Sequence, residues 1–149
     1  MNIEKKLNCN LMVGNIYSMS RIVKQENINY FAEAVGSDGA QHIDPKYAIP
    51  KYGSTIAHGL FTIEQASEIM FSLFKKYWLK KGILRGTFIK LVRPGDVITT
   101  YLEIESIHKG KNDDLKSNSN HIDVSTSYKC VNQIGEIVAA GEASCEIDI

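Results

Sequence analysis

The sequence has no excess charge of either sign and no long hydrophobic run. Lys plus Arg number 17, the same as Asp plus Glu, so the net charge does not favour a nucleic-acid backbone or an anionic membrane surface. Nowhere do about eighteen apolar residues follow one another, as a membrane-spanning helix requires, and the first ten residues lack the apolar segment of a signal peptide. We therefore expect no nucleic-acid partner, no membrane partner and a cytoplasmic location.

Cysteine is scarce. Cys9, Cys130 and Cys145 are an odd number with no Cys-x-x-Cys pair, which argues against a disulfide framework and against a thiolate zinc site. His108 and His121 do not have the spacing of metal ligands, and we expect both to be solvated. The sequence thus predicts no metal site, and reduced cysteines that pack as small hydrophobic residues.

No internal repeat and no linker rich in Pro or Ser divides the chain. A length of 149 residues is sufficient for one hydrophobic core, so we predict a single domain over residues 1–149. Apolar positions at helical spacing predict a short helix over residues 25–35, ended by Gly36, and a long main helix over residues 56–79. The face of the main helix predicted to pack on the sheet carries Leu60, Ile63, Ser67, Met70, Phe74 and Tyr77. Asp44 before Pro45 predicts the cap of one further helical turn, which Pro50 would interrupt.

After residue 82 the apolar positions alternate, which predicts strands. One hairpin is predicted over residues 83–107, with a turn at 93–96, and a second over residues 121–147. The polar stretch between them, residues 109–120, is typical of an exposed loop. Helices followed by antiparallel strands predict an α+β fold in which the sheet packs on the main helix.

Two clusters concentrate glycine and polar residues. Residues 35–45 read Val-Gly-Ser-Asp-Gly-Ala-Gln-His-Ile-Asp-Pro and lie between helices, and loops on a rigid scaffold often carry function. Residues 53–60 read Gly-Ser-Thr-Ile-Ala-His-Gly-Leu and begin the main helix, where free N–H groups and the helix dipole favour negative charge. Each cluster alone also fits a purely structural role.

Together with a third segment, these clusters resemble the MaoC-like branch of the hot-dog superfamily, which includes (R)-specific enoyl-CoA hydratases and acyl dehydratases. The matching segments are His-Ile-Asp-Pro at 42–45, Ile-Ala-His-Gly at 56–59 and Val-Arg-Pro-Gly-Asp at 92–96. The resemblance extends over about residues 12–147. It implies a hot-dog fold, a long helix wrapped by a mainly five-stranded antiparallel sheet, and a homodimer whose sheets join edge to edge.

The resemblance also implies roles for individual residues. His42 would be the catalytic histidine, Ser67 the active-site serine, and Gly59 the backbone donor to the thioester oxygen. The residues implied to border the substrate are Gly36, Gly39, Ile56 and His58. The implied reaction is reversible hydration of a trans-2-enoyl thioester to an (R)-3-hydroxyacyl thioester, carried by CoA or by acyl carrier protein, without a metal or redox cofactor.

Such a reaction also needs a general base, and here the sequence departs from the family pattern. Ungapped counting places Ser37 where the family has its aspartate, and Asp38 one residue later. Since consecutive Cα atoms are about 3.8 Å apart, this slip leaves two interpretations. Either the loop shifts so that Asp38 reaches the reacting water, or the base is lost and Ser37 only positions a ligand.

Two other functions remain open. A thioesterase would use a carboxylate on the main helix, for which Glu64 and Glu68 are candidates, although both can pair with nearby lysines at helical spacing. A catalytically degenerate subunit that only binds an acyl thioester is favoured by Ser37 in the aspartate position.

Overall fold

In the computed structural model, which describes residues 11–111 and 120–148, helices pack against one five-stranded antiparallel sheet. The helices are α1 (Gln25–Val35), α2 (Ala40–Ile43), α3 (Pro45–Tyr52), α4 (Gly59–Phe74) and α5 (Lys76–Lys81). The strands are β1 (Ile16–Ile22), β2 (Gly82–Phe88), β3 (Val97–Lys111), β4 (Asn120–Val131) and β5 (Ile137–Asp148). The predicted α+β class, with an antiparallel sheet on the main helix, is confirmed.

The sheet has the strand order β1-β3-β4-β5-β2. The predicted second hairpin is confirmed, because β4 pairs with β5. The predicted first hairpin is wrong: β2 pairs with β5, whereas β3 lies between β1 and β4. No strand was predicted for the residues of β1, and the described residues of the predicted polar loop, 109–111 and 120, belong to the ends of β3 and β4. Residues 112–119 of that loop lie outside the described residues.

The segment between β2 and β3 crosses the molecule instead of turning back on itself. The N–H groups of Ile89 and Lys90 donate to the Val138 carbonyl at 2.8 and 3.1 Å, and Ala57 N–H donates to the Val92 carbonyl at 2.8 Å. These bonds fasten the segment to β5 and to the start of α4. The short Arg-Pro-Gly-Asp turn at 93–96 forms only afterwards, where β3 begins.

The main helix is shorter than predicted. It begins at Gly59 and ends at Phe74, because Lys75 adopts a positive φ of 51° before α5 starts. Leu60 was predicted to face the core but is 63% exposed. At 3.6 residues per turn, Leu60 lies about 120° around the helix from the fully buried Ala66. The buried stripe is therefore centred on Ala66, not on the line from Leu60 to Ser67.

The helix α3 has the predicted cap but a longer body. The Asp44 carboxylate accepts a hydrogen bond from Lys46 N–H at 2.9 Å, and Pro45 is the first helical residue. Pro50 was predicted to interrupt this turn but lies inside the helix. Because proline has no backbone N–H, the helix lacks one hydrogen-bond donor at this position. Gly53 closes the helix by donating its N–H to the Ile49 carbonyl at 2.9 Å.

The core lies between α4 and the inner face of the sheet. Its members from α4 are Ile63, Ala66, Ile69, Met70, Leu73 and Phe74, and those from the sheet include Ile98, Leu102, Ile104, Ile122, Val124, Val138 and Ile147. Burial of each large side chain contributes about 1.5–3 kcal/mol. Cys130 and Cys145 are free and buried, as predicted, and Cys9 lies outside the described residues.

Among the described residues, no helix combines the length and the apolar character needed to cross a membrane.

The pairing of β2 with β5 depends on two opposed glycines, Gly86 and Gly141. They leave room for Tyr128, whose hydroxyl donates to the Arg85 carbonyl at 2.9 Å. A Cβ on Gly141 would overlap that same carbonyl oxygen, a backbone atom that can move only with its strand. We expect Gly141→Ala to lower the free energy of unfolding by about 3 kcal/mol, measured by chemical denaturation.

Ser144→Ala is the matched control for this prediction, since Ser144 lies on the same strand and is only partly buried. We expect that variant to stay within about 0.5 kcal/mol of the parent. A Gly141→Ala variant as stable as Ser144→Ala would contradict the overlap argument.

Candidate functional site

His42 lies in the short helix α2, and its imidazole is held by one specific hydrogen bond. Nδ1 is 2.8 Å from the Ile56 carbonyl oxygen, so Nδ1 carries a proton and donates it to that bond. Nε2 is 3.1 Å from the side-chain nitrogen of Gln41. Because the ring is only partly buried, Nε2 is the atom that can exchange a proton with a ligand.

Residues distant in sequence support His42. Gln25 at the start of α1 donates from Nε2 to the His42 carbonyl at 2.8 Å, and the Thr55 hydroxyl donates to Gln25 Oε1. Ile56 N–H also donates to the Gln41 carbonyl at 3.1 Å. Sequence reasoning missed these supporting residues, because their separations of up to 30 positions leave no local pattern. Thr55 stood within a cluster of interest, but without an assigned role.

His58 packs directly on His42. The two rings stack with centroids 3.6 Å apart and planes 22° apart. His58 is the N-cap residue of α4, is 6% exposed, and donates from Nε2 to the Ser37 carbonyl at 2.8 Å. Burial is the main cause that lowers the pKa of His58, with a smaller contribution from His42. His58 is therefore a neutral residue that positions both the His42 ring and the Ser37 loop.

The loop after α1 brings Ser37 to this pair and leaves Asp38 in solvent. Gly36 ends α1 in the left-handed region with φ 66°, and Ser37 N–H donates to the Ala32 carbonyl at 2.9 Å. The Asp38 carboxylate is exposed and has no hydrogen-bond or ion-pair partner among the described residues. A Cβ on Gly39 would lie 2.8 Å from the Gln41 amide, so Gly39 gives that amide its place beside His42.

Gly59 is the first residue of α4, immediately after His58. The N–H groups of a first helical turn have no acceptor within the helix, and the helix dipole makes this end positive. A Cβ on Gly59 would lie 2.7 Å from the Phe88 ring, so the glycine backbone is directly under that ring. Ile56, by contrast, is buried and uses its carbonyl for His42, which makes it a support for the histidine.

Ser67 is not brought to this group. It lies eight residues after Gly59, which places it about 12 Å farther along the helix axis. Its hydroxyl accepts a hydrogen bond from Trp78 Nε1 at 3.0 Å. It lines a separate surface cavity of about 320 Å³ together with Glu64 and Glu68. The arrangement of the described residues gives no support to a catalytic role for Ser67.

Glu64 and Glu68 are bound by an arginine, not by the lysines expected at helical spacing. Arg21 on β1 forms ion pairs with both carboxylates, at 2.8 Å to Glu68. Burial raises the pKa of Glu64, and the positive charge of Arg21 opposes that shift. Both carboxylates thus serve to join α4 to β1.

Comparison with known proteins identifies a family model that matches this chain. A family model described as the MaoC like domain matches residues 15–125, well over half of the chain. This range contains His42, His58 and Gly59. No curated protein matches the sequence.

Solved structures of similar fold include two hydratases. One is the (R)-hydratase from A. caviae involved in PHA biosynthesis, with a TM-score of 0.71 and 20% identity over 92% of this chain and 97% of that one. Another is R-hydratase PhaJ1 from Pseudomonas aeruginosa, with a TM-score of 0.68 and 22% identity over 93% of this chain and 86% of that one.

A third similar structure is the HadBC 3R-hydroxyacyl-ACP dehydratase complex from Mycobacterium tuberculosis. Its TM-score is 0.66, with 21% identity over 92% of this chain and 98% of that one. At these identities the solved structures establish the fold, and it is the predicted hot-dog fold. With its sequence matching the family model over most of its length, the chain belongs to the MaoC-like dehydratase family.

Proposed function

We propose that this protein is a hydro-lyase that interconverts a trans-2-enoyl thioester and an (R)-3-hydroxyacyl thioester. The observation that carries the proposal is the stacked His42–His58 pair beside the first turn of α4. This arrangement combines a proton-exchanging imidazole with backbone donors at a positive helix end. The hydratases and dehydratases of similar fold support the same class of reaction.

The first turn of α4 would hold the thioester. Addition of hydroxide to the β-carbon moves negative charge onto the thioester oxygen, as an enolate. The Gly59 N–H and the positive helix end would stabilise that charge, and interactions of this kind are often the largest single contribution to catalysis. Phe88, which covers Gly59, would keep the surroundings of the Gly59 N–H apolar and so strengthen the electrostatic effect.

Two groups would transfer protons. Asp38 accepts a proton from water as the water oxygen bonds to the β-carbon, and His42 Nε2–H delivers a proton to the α-carbon. Passage of the proton from Asp38 back to His42 then restores both groups, so one water is added and no other reactant is consumed. Throughout, His42 Nδ1–H would stay on the Ile56 carbonyl, and rotation of the Gln41 amide would offer its oxygen to Nε2–H.

The position of Asp38 is compatible with this role. His58 anchors the Ser37 carbonyl at 2.8 Å, so Asp38 projects from a residue fixed next to the histidine pair. Its carboxylate has no other partner among the described residues. Ser37 cannot replace it, because a serine hydroxyl is not a base near neutral pH unless another group activates it.

The substrate would be carried by CoA or by acyl carrier protein, and the active form would be a homodimer. Within the part of the chain that the structure describes, β2 is an edge strand with β5 as its sole neighbour. Ile83 is 49% exposed and Phe88 is 51% exposed on this strand. An exposed apolar edge tends to pair with another strand, and a second copy of β2 would cover it.

We expect Ile83→Lys to weaken the dimer, because a charge on an edge strand opposes strand pairing. Sedimentation velocity over a range of protein concentrations would show a shift from dimer to monomer. Ser125→Lys is the matched control, since it adds the same charge at an exposed position away from the edge. An Ile83→Lys variant that remains dimeric at the lowest concentration would exclude this edge as the interface.

The experiment that tests the function follows the ultraviolet absorbance of crotonyl-CoA with purified protein. A parallel assay with a thiol reagent measures the release of free CoA. Hydration removes the conjugated double bond, so we expect the absorbance to fall with no thiol released. Thiol release would instead indicate a thioesterase. No change in either signal, with acyl-CoA binding intact, would indicate a subunit that only binds the thioester.

A further inference from the structure

Three side chains converge on the outer face of the sheet, at the end of β4 and β5 remote from their connecting turn. His121 Nε2 lies 3.2 Å from Asp123 Oδ2. One ligating atom from each of His121, Asp123 and Glu146 lies within 4.8 Å of the other two. This outer-face cluster shares no residue with the candidate functional site.

Strand register explains why these residues meet. His121 and Asp123 are two positions apart on β4, and alternate residues of a strand share a face. Glu146 lies directly opposite Asp123 on β5, where Cβ atoms are about 4.5–5.5 Å apart. On the other side, the register places His108 of β3 opposite Asp123. A second imidazole therefore belongs to the same cross-strand row.

The sheet makes room for the His121 ring. Gly110 lies opposite His121 on β3, and a Cβ on Gly110 would overlap His121 Nε2. His121 was expected to be solvated but is 9% exposed, and its Nδ1 is buried without a hydrogen-bond partner among the described residues. The ring is therefore held in place with Nε2, the nitrogen that faces Asp123, as the atom able to bind a ligand.

Two carboxylates lie next to His121 on neighbouring strands. Among the described residues, Asp123 and Glu146 contribute two carboxylates, and Lys81 pairs with Glu146 but not with Asp123. Lys81 contacts Glu146 at 2.5 Å and Asp148 at 2.6 Å, and these two hydrogen bonds raise the pKa of Lys81. Carboxylates directly opposite one another, such as Asp123 and Glu146, repel. A cation between them would remove the repulsion.

We propose that His121, Asp123 and Glu146 bind a divalent transition metal ion, with Zn²⁺ as the best fit. Zinc accepts one imidazole nitrogen and carboxylate oxygens at about 2.0–2.2 Å, so ligating atoms in a tetrahedral site are about 3.4 Å apart. The His121–Asp123 distance of 3.2 Å already meets that requirement. Rotation of the Glu146 side chain away from Lys81 completes three ligands and leaves a fourth position for water or His108.

The bound ion would fasten the ends of β4 and β5 together. Because a ligand that binds only the folded state stabilises it, a metal concentration near 100 times Kd should raise Tm by about 5–10 °C. Lys81 competes with the metal for Glu146. Replacing a metal ligand such as Asp123 should therefore lower the Zn²⁺ affinity, and replacing Lys81 should raise it.

The test is calorimetric titration of the full chain with ZnCl₂ after removal of metal by a chelator. We expect one Zn²⁺ per chain. Replacing a residue that only supports a metal ligand lowers the metal affinity by about 10–100-fold. Asp123 is itself a proposed ligand, so Asp123→Asn should weaken Zn²⁺ binding by about 100-fold or more. Lys81→Met should strengthen binding by up to about fivefold. Co²⁺ should show the visible absorption bands of a tetrahedral site in the parent and lose them in Asp123→Asn.

Two controls locate the site. Glu142→Gln removes one carboxylate from the same strand and leaves the cluster intact, so its Zn²⁺ affinity should equal that of the parent. His42→Asn tests the stacked histidine pair, and it should also leave the affinity unchanged. The proposal is overturned if the parent binds no Zn²⁺, if Asp123→Asn binds it as tightly as the parent, or if His42→Asn abolishes binding. Thermal unfolding without metal checks that each variant is folded.

Discussion

Replacing His42 by asparagine is expected to reduce kcat/KM for crotonyl-CoA hydration by roughly 10²–10⁴-fold, the usual contribution of a general acid or base. The asparagine amide can still donate to the Ile56 carbonyl, which His42 Nδ1–H now does at 2.8 Å. It cannot deliver a proton to carbon. We therefore expect the loss to appear equally in kcat and kcat/KM, as for an interaction made only in the transition state.

The spectrophotometric assay measures this loss, and acyl-CoA binding by calorimetry provides the control. Binding should be retained, because the oxyanion donor proposed at Gly59 is a backbone group. A variant that keeps more than about a tenth of the parent activity would show that His42 does not transfer the proton. A variant that loses binding together with activity would indicate that His42 acts mainly by shaping the pocket.

Replacing Asp38 by asparagine is expected to cause a loss of similar size, roughly 10²–10⁴-fold in kcat/KM. The change removes the proposed base while retaining the shape of the side chain. Because the Asp38 side chain is exposed, Tm should hardly change. The same assay measures the effect, with Glu33→Gln as the matched control, since Glu33 is an exposed carboxylate nearby on α1.

The double variant Ser37→Asp with Asp38→Asn separates the two interpretations of this loop. If Asp38 reaches the water because the loop is shifted, moving the carboxylate back by one residue should not restore activity, since about 3.8 Å separates consecutive Cα atoms. If Ser37 marks a lost base, Ser37→Asp should instead create activity that the parent lacks. Full activity in Asp38→Asn alone would exclude Asp38 as the base.

Local signals in the sequence were sufficient for much of the fold. The helix α1, its end at Gly36 and the cap at Asp44 were predicted within the described residues, because capping and periodicity involve neighbours a few positions apart. The hairpin of β4 and β5 was predicted for the same reason. The end of α4 was misplaced, since its apolar pattern continues into α5 and only the backbone conformation of Lys75 interrupts the helix.

The site was predicted in part. His42, His58 and Gly59 lie close together, and the motifs that contain them singled them out. Ser67 was assigned from the family resemblance, and the structure places it in a surface cavity with Glu64 and Glu68. The support of His42 by Gln25 and Thr55 was not foreseen, since it depends on how α1 meets the segment before α4.

By itself, the sequence determined most of the elements of this protein, though not β1, and the order of its motifs, because helix and strand periodicity, caps and turns are properties of short segments. Only the tertiary structure decided which distant segments meet: β2 with β5, and His58 with His42 and Ser37. The physical reason is that these contacts join residues far apart in the chain. They form only when the strand order and the packing on α4 bring both partners to one place.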